Sequence, residues 1–131
     1  MSKKIAVFFA VLLVSGLLLS ACGGGGGSDD AAARGKELFN QVVVGSEPGC
    51  TTCHSLTAGT VVVGPSLAGI GTTAGTRVSD ESAEEYFRQS ILEPDAYVVE
   101  GFTAGVMSKN WATLLTEDQL NDVVAYLLTL E

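Results

Sequence analysis

The pentapeptide Cys50-Thr51-Thr52-Cys53-His54 constrains this chain more than any other feature, because the 131 residues hold only three Cys, one His and two Met. Two thiols at i and i+3 lie on one turn of helix, and in an exported protein the C-x-x-C-H pattern reads as an attachment site for haem c. The thiols of Cys50 and Cys53 reach the two vinyl groups of one porphyrin, and the adjacent His54 imidazole lies beneath the iron as proximal ligand. Three other readings compete. A thioredoxin-like redox pair needs a strand before the motif and a helix after it, whereas the segment before Gly49 reads as helical. Structural zinc needs four ligands, and no fourth Cys or His joins Cys50, Cys53 and His54 once Cys22 is lipidated, so carboxylates would have to complete the site. A Cys50–Cys53 disulfide would close a very small loop and leave His54 without a role.

The sixth iron ligand is sought by elimination. There is no second His, and the only internal thioether is Met107, in Gly101-Phe102-Thr103-Ala104-Gly105-Val106-Met107. This glycine-bearing loop precedes a capped C-terminal helix. A lone Met also serves as core filler, so that reading stays beside the ligand one. A His/Met pair favours ferrous iron and a high potential, and it leaves no coordination position for a substrate.

The N-terminus reads as an export signal. Lys3-Lys4 precedes an apolar run over 5–19, broken only by Ser15 and Gly16. This is a basic n-region followed by an h-region, short of the ~20 residues that a bilayer span needs. Leu19-Ser20-Ala21-Cys22 resembles a bacterial lipobox, in which the Cys is acylated and becomes the new N-terminus; an uncleaved signal anchor is the alternative. The expected division is a signal peptide over 1–21, lipidated Cys22 with a Gly-rich linker over 22–30, and one domain over 31–131. The domain is then exported, facing the periplasm or cell exterior, and held at the membrane through the lipid on Cys22. A linker of this length reaches only ~30 Å when fully extended. Seven basic residues against fifteen acidic ones give a net charge of -8, and loss of Lys3 and Lys4 makes it more negative still. Such a surface excludes nucleic-acid phosphates as a partner.

The folded part reads as all-α. Asp29 or Asp30 caps a first helix reaching about Val43, with Leu38, Phe39, Val42 and Val43 on one face and Gly45 just past its end. Ser82-Ala83-Glu84-Glu85 is a capping box opening a helix that stops before Pro94, and Thr116-Glu117-Asp118-Gln119 opens the last one. In that last helix Leu120, Val123, Val124 and Leu127 form the apolar stripe. The stretch 59–75, with five Gly and Pro65, reads as an irregular loop, and Val61-Val62-Val63 within it as a short extended piece.

Taken together, Gly35-x-x-x-Phe39, Cys50 to His54, Gly64-Pro65-x-Leu67, the Met107 loop and Ala125-Tyr126-Leu127 resemble class I monohaem cytochromes c over 31–131. The resemblance implies four to five short helices around one covalently bound haem, held by Cys50 and Cys53, with His54 and Met107 on the iron. It implies that the first and last helices cross closely, Gly35 letting the Tyr126 side approach. It implies that the Pro65 carbonyl accepts from His54 Nδ1–H and that Trp111 lies near the haem, a place compatible with core packing. The stretch 91–107 is similar to haem c domains of membrane respiratory complexes, including those of haem-copper oxidase subunit II and the monohaem subunit of alternative complex III. One departure is Ser108, where many relatives have Pro after the Met. The function implied is electron transfer, not catalysis, as a subunit or close partner of a respiratory or photosynthetic membrane complex. Its partners would be redox proteins, with no small-molecule substrate and Lys109 the one basic residue beside an apolar haem edge. The alternatives are a haem sensor or peroxide-handling module with a displaceable sixth ligand, a free membrane-tethered carrier, and an assembly subunit with a vestigial haem.

Overall fold

The computed structural model describes residues 27–131; the leader, the lipobox with Cys22 and residues 23–26 lie outside the described residues. Helix α1, Gly27–Phe39, has Asp29 and Asp30 in its first turn and Lys36 in its last, each charge set against the opposite end of the helix dipole. A minimal antiparallel hairpin follows, β1 Val43–Val44 and β2 Glu47–Pro48, with Val43 opposite Pro48 and Val44 opposite Glu47. Three single-turn helices are α2 Cys50–Cys53, α3 Ile70–Thr73, which runs into a 3-10 turn at Ala74–Thr76, and α5 Trp111–Leu114. The longer α4, Ala83–Leu92, and α6, Glu117–Leu128, both open with complete capping boxes, on Ser82/Glu85 and Thr116/Gln119. The all-α class stands.

Three expectations need correction. The first helix already includes Gly27, the first described residue, so Asp29 and Asp30 lie inside it rather than capping it, and the last residues of the expected linker are helical. It ends at Phe39 rather than near Val43. The β-branched run Val42 to Val44 prefers extended backbone. There Val43 faces out and Val44 in, while Val42 is 71% exposed. Gly45, at φ +62°, makes the hairpin turn instead of ending a helix. Finally, the glycine-rich stretch contains α3 and its 3-10 extension, and Val61 to Val63 are exposed and form no strand.

The frame is the crossing of α1 and α6. A Cβ on Gly35 would lie 1.8 Å from the Asp122 carbonyl oxygen and 2.9 Å from the Val123 nitrogen, so the two backbones touch where glycine alone fits. One turn further along, Phe39 and Tyr126 meet edge to face at 5.3 Å. Beside the crossing, Arg34 Nε and Nη2 donate to the two Asp122 carboxylate oxygens at 2.8 and 2.6 Å, a forked pair that holds the Asp122 carboxyl below the usual carboxylate range. Helix α4 is tied to α6 by Arg88, which donates to Asn121 and Glu117. Gly71 docks on the end of α6, its N–H donating to the Leu130 carbonyl at 2.7 Å.

Gly35→Ala must therefore push two backbones apart. The expected cost is ~3 kcal/mol, which lowers the melting temperature of a domain of this size by ~12 °C or more. Gly27→Ala, whose Cβ meets nothing within 4 Å, is the matched control. An unchanged melting curve for Gly35→Ala would show that this contact is not what sets the crossing.

Candidate haem-binding site

Helix α2 is a single turn, so it depends on its surroundings for its position. Gly49, its N-cap, donates to the Val42 carbonyl at 2.7 Å. A Cβ on Gly49 would stand 1.7 Å from the Gln41 carbonyl oxygen, so any other residue would pry the turn off the hairpin. Thr52 Oγ1 donates to the same Val42 carbonyl at 3.3 Å. With the turn fixed, Cys50 and Cys53 sit at i and i+3 on one side of it, and both carry free thiols. Burial pushes the Cys50 thiol above its ordinary value, and the neighbouring Cys53 adds to the effect.

His54 leaves the helix with extended backbone, φ -115° and ψ 131°, which turns its ring away from the α2 axis. Its Nδ1 donates to the Pro65 carbonyl oxygen at 2.8 Å. A carbonyl can only accept, so Nδ1 carries a proton and Nε2 is the ring nitrogen left available to a metal. The loop carrying Pro65 is itself anchored, because Val63 N–H and Gly64 N–H both donate to the Cys53 carbonyl, at 3.2 and 2.9 Å. Gly64 packs on the ring: a Cβ there would lie 2.6 Å from His54 Cε1. Thus the residues before the proline position the imidazole by contact, and the proline carbonyl sets its tautomer.

Cys50, Cys53, His54, Pro65, Met107 and Trp111 all line one cavity of about 1040 Å³. Ligand sites usually span ~300–1,000 Å³, so this one suits a large ligand. Ten of the fourteen buried hydrophobic residues, among them Leu38, Phe39, Phe87, Ile91 and Leu127, also form its walls. Met107 is half-buried and packs against that core, while Trp111 is 5% exposed.

The polar groups at the cavity match a macrocycle with largely apolar faces and acidic substituents on one edge. The buried Trp111 Nε1 and Ser90 Oγ have no protein hydrogen-bond partner, and both residues line the cavity; buried donors of this kind are nearly always satisfied. Arg77 also lines it, its guanidinium 5.8 Å from the Tyr86 ring centroid, and it enters no ion pair among the described residues. Lys109 lines it too but is paired with Asp95 at 2.5 Å. Arg77 and Lys109 are thus both basic residues of the cavity wall. Ser90 and Arg77 were missed because nothing in their spacing marks them. The only available signal was that the described residues contain so few cations.

The cytochrome c family model matches residues 32–131. No curated protein matches the sequence.

Proposed function

We infer that this protein, which belongs to the cytochrome c family and so is a haem c electron carrier rather than an enzyme, ligates its iron through His54 and Met107. We further infer that it works from a lipid anchor on Cys22, as a subunit or close partner of a respiratory or photosynthetic membrane complex. The observation that carries the ligand reading is the His54 Nδ1 to Pro65 bond of 2.8 Å in a cavity that Met107 also lines. That bond leaves Nε2 as a donor of electron density to a metal, and Met107 is the sole thioether among the described residues. When bound, the haem supplies a one-electron ferric/ferrous couple whose potential depends on axial ligands and burial.

The protein's own residues account for the rest. Cys50 and Cys53 would hold the group through thioether bonds to its vinyl substituents, and the apolar walls exclude water from it. Arg77, with the donors Trp111 Nε1 and Ser90 Oγ, suits its carboxylates. The cavity mouth carries Val61, Val63 and Val106, which are 61%, 49% and 58% exposed. An apolar rim of this kind favours short-range docking on a neighbour over long-range electrostatic steering. A short tether supports the same reading, since it raises the effective concentration near lateral partners. No helix among the described residues is long and apolar enough to cross a membrane.

Met107→Ala is expected to abolish the sulfur-to-iron charge-transfer absorption of the ferric protein, to lower the potential and to open a position for carbon monoxide on the reduced one. Persistence of that band in the variant would remove Met107 from the iron. Cys22→Ser is expected to shift processed protein from membranes to the soluble fraction and to slow electron delivery to membrane-bound acceptors. Finding unmodified Cys22 in processed wild-type protein would end the lipid reading.

A further inference from the structure

Met107 lies in a stretch with little framework of its own. Between the end of α4 and the start of α5, residues 93–110 form no helix or strand, a span longer than the ~12–15 residues that irregular loops usually reach. Residues 103–109 make no backbone-to-backbone hydrogen bond among the described residues. Gly105 sits at φ +79°, where glycine is conformationally free, and Ser108 has no ring to fix its backbone. A thioether on such a segment would sample many positions unless side chains restrain it.

The restraint comes chiefly from one carboxylate. Asp95 Oδ1 accepts from the Gly105 N–H at 2.7 Å, and Asp95 Oδ2 pairs with Lys109 Nζ at 2.5 Å. These contacts fall two residues before and two residues after Met107. Asp95 is itself well placed to act as a post, since it follows Pro94 in a turn closed by Ala96 N–H donating to the Glu93 carbonyl at 2.8 Å. The other ties are more remote: Ser108 Oγ accepts from Asn110 N–H, and Asn110 Nδ2 donates to Glu47 Oε1.

We propose that Asp95 is a positioning residue for Met107, its carboxylate gripping both arms of the 105–109 segment so that the thioether is presented to the cavity lined by His54. This rests on the reading of Met107 as the sixth ligand. The two contacts are unequal. Lys109 is 63% exposed, and exposed pairs contribute little, whereas an ionised acceptor bound to a backbone N–H is a strong bond. The Gly105 bond lies at the surface as well, but it fixes the backbone itself rather than the end of a flexible side chain, so it carries most of the effect.

The test uses the ferric holoprotein with Asp95→Ala, Asp95→Asn and Lys109→Gln, and Asp122→Ala as a destabilised control at the remote α1–α6 pair. Two quantities are read: the rate of cyanide binding, which reports release of the sixth ligand, and amide exchange at Gly105. Asp95→Ala is expected to bind cyanide about tenfold faster and to lose Gly105 protection, as expected for losing a hydrogen bond to a charged acceptor. Asp95→Asn, which keeps an amide oxygen for Gly105, should fall between it and the wild type, and it serves if the alanine variant folds poorly. Lys109→Gln should stay within about twofold of the wild type. An unchanged cyanide rate in Asp95→Ala, in protein that shows the sulfur-to-iron band, would overturn the proposal while leaving Met107 as ligand. An equal acceleration in Asp122→Ala would also overturn it, because general destabilisation would then suffice. Absence of the band from the wild type would instead defeat the ligand reading, and this proposal with it.

Discussion

The constraint on which the rest depends is an interior that the polypeptide does not close by itself. Most of its buried hydrophobic side chains surround a cavity of about 1040 Å³, where protein interiors otherwise pack as densely as organic crystals. An apolar-walled space of this size is not something a small domain of ~5–15 kcal/mol stability keeps for packing alone. The walls make physical sense only as one half of a contact whose other half is a large apolar group. Fold and cofactor are therefore one problem. Helix α1 contributes Leu38 and Phe39 to the wall and α6 contributes Val123 and Leu127; the Gly35 crossing fixes the distance between them.

Close backbone contacts then convert this shell into a chemically specific one. Gly49 lets the α2 turn sit against the hairpin, and Gly64 lets the Pro65 loop lie against the imidazole. The same loop that presses on the ring also presents the carbonyl that takes its Nδ1 proton. Orientation and electronic state of His54 thus come from a single segment, held by the Cys53 carbonyl. On the other side of the cavity, the segment carrying Met107 has no regular structure and is tied by side chains, Asp95 to Gly105 and Lys109, and Asn110 to Glu47. His54 is thus held by close backbone contacts, and the Met107 segment by side-chain ties.

How far this was legible in the sequence follows from the range of the signals. Cys50 to His54 is local, and its chemistry is carried by residue type and spacing alone. The capping boxes at Ser82 and Thr116 are equally local, and both form as read. The Gly35 crossing and the Pro65 carbonyl were reachable only through resemblance, because each needs a partner 11 or more positions away. Helical periodicity misplaced Val42 and Val43, since four apolar residues fit a helix face and a hairpin strand almost equally well; β-branching was the better guide. Arg77, Ser90 and Asp95 carried no mark at all. Their roles arise from what the fold brings beside them, the cavity wall for the first two and the Gly105 and Lys109 groups for the third.

The central claim is that the interior is completed by one haem joined covalently to Cys50 and Cys53. Intact-mass measurement of protein matured in a host that assembles c-type haem, combined with alkylation of the denatured polypeptide, tests it most directly. The account predicts a mass greater than that of the processed polypeptide by one haem, with neither Cys50 nor Cys53 alkylated. A product of bare polypeptide mass with both thiols alkylated, or a haem released by acidic solvent extraction, would contradict it.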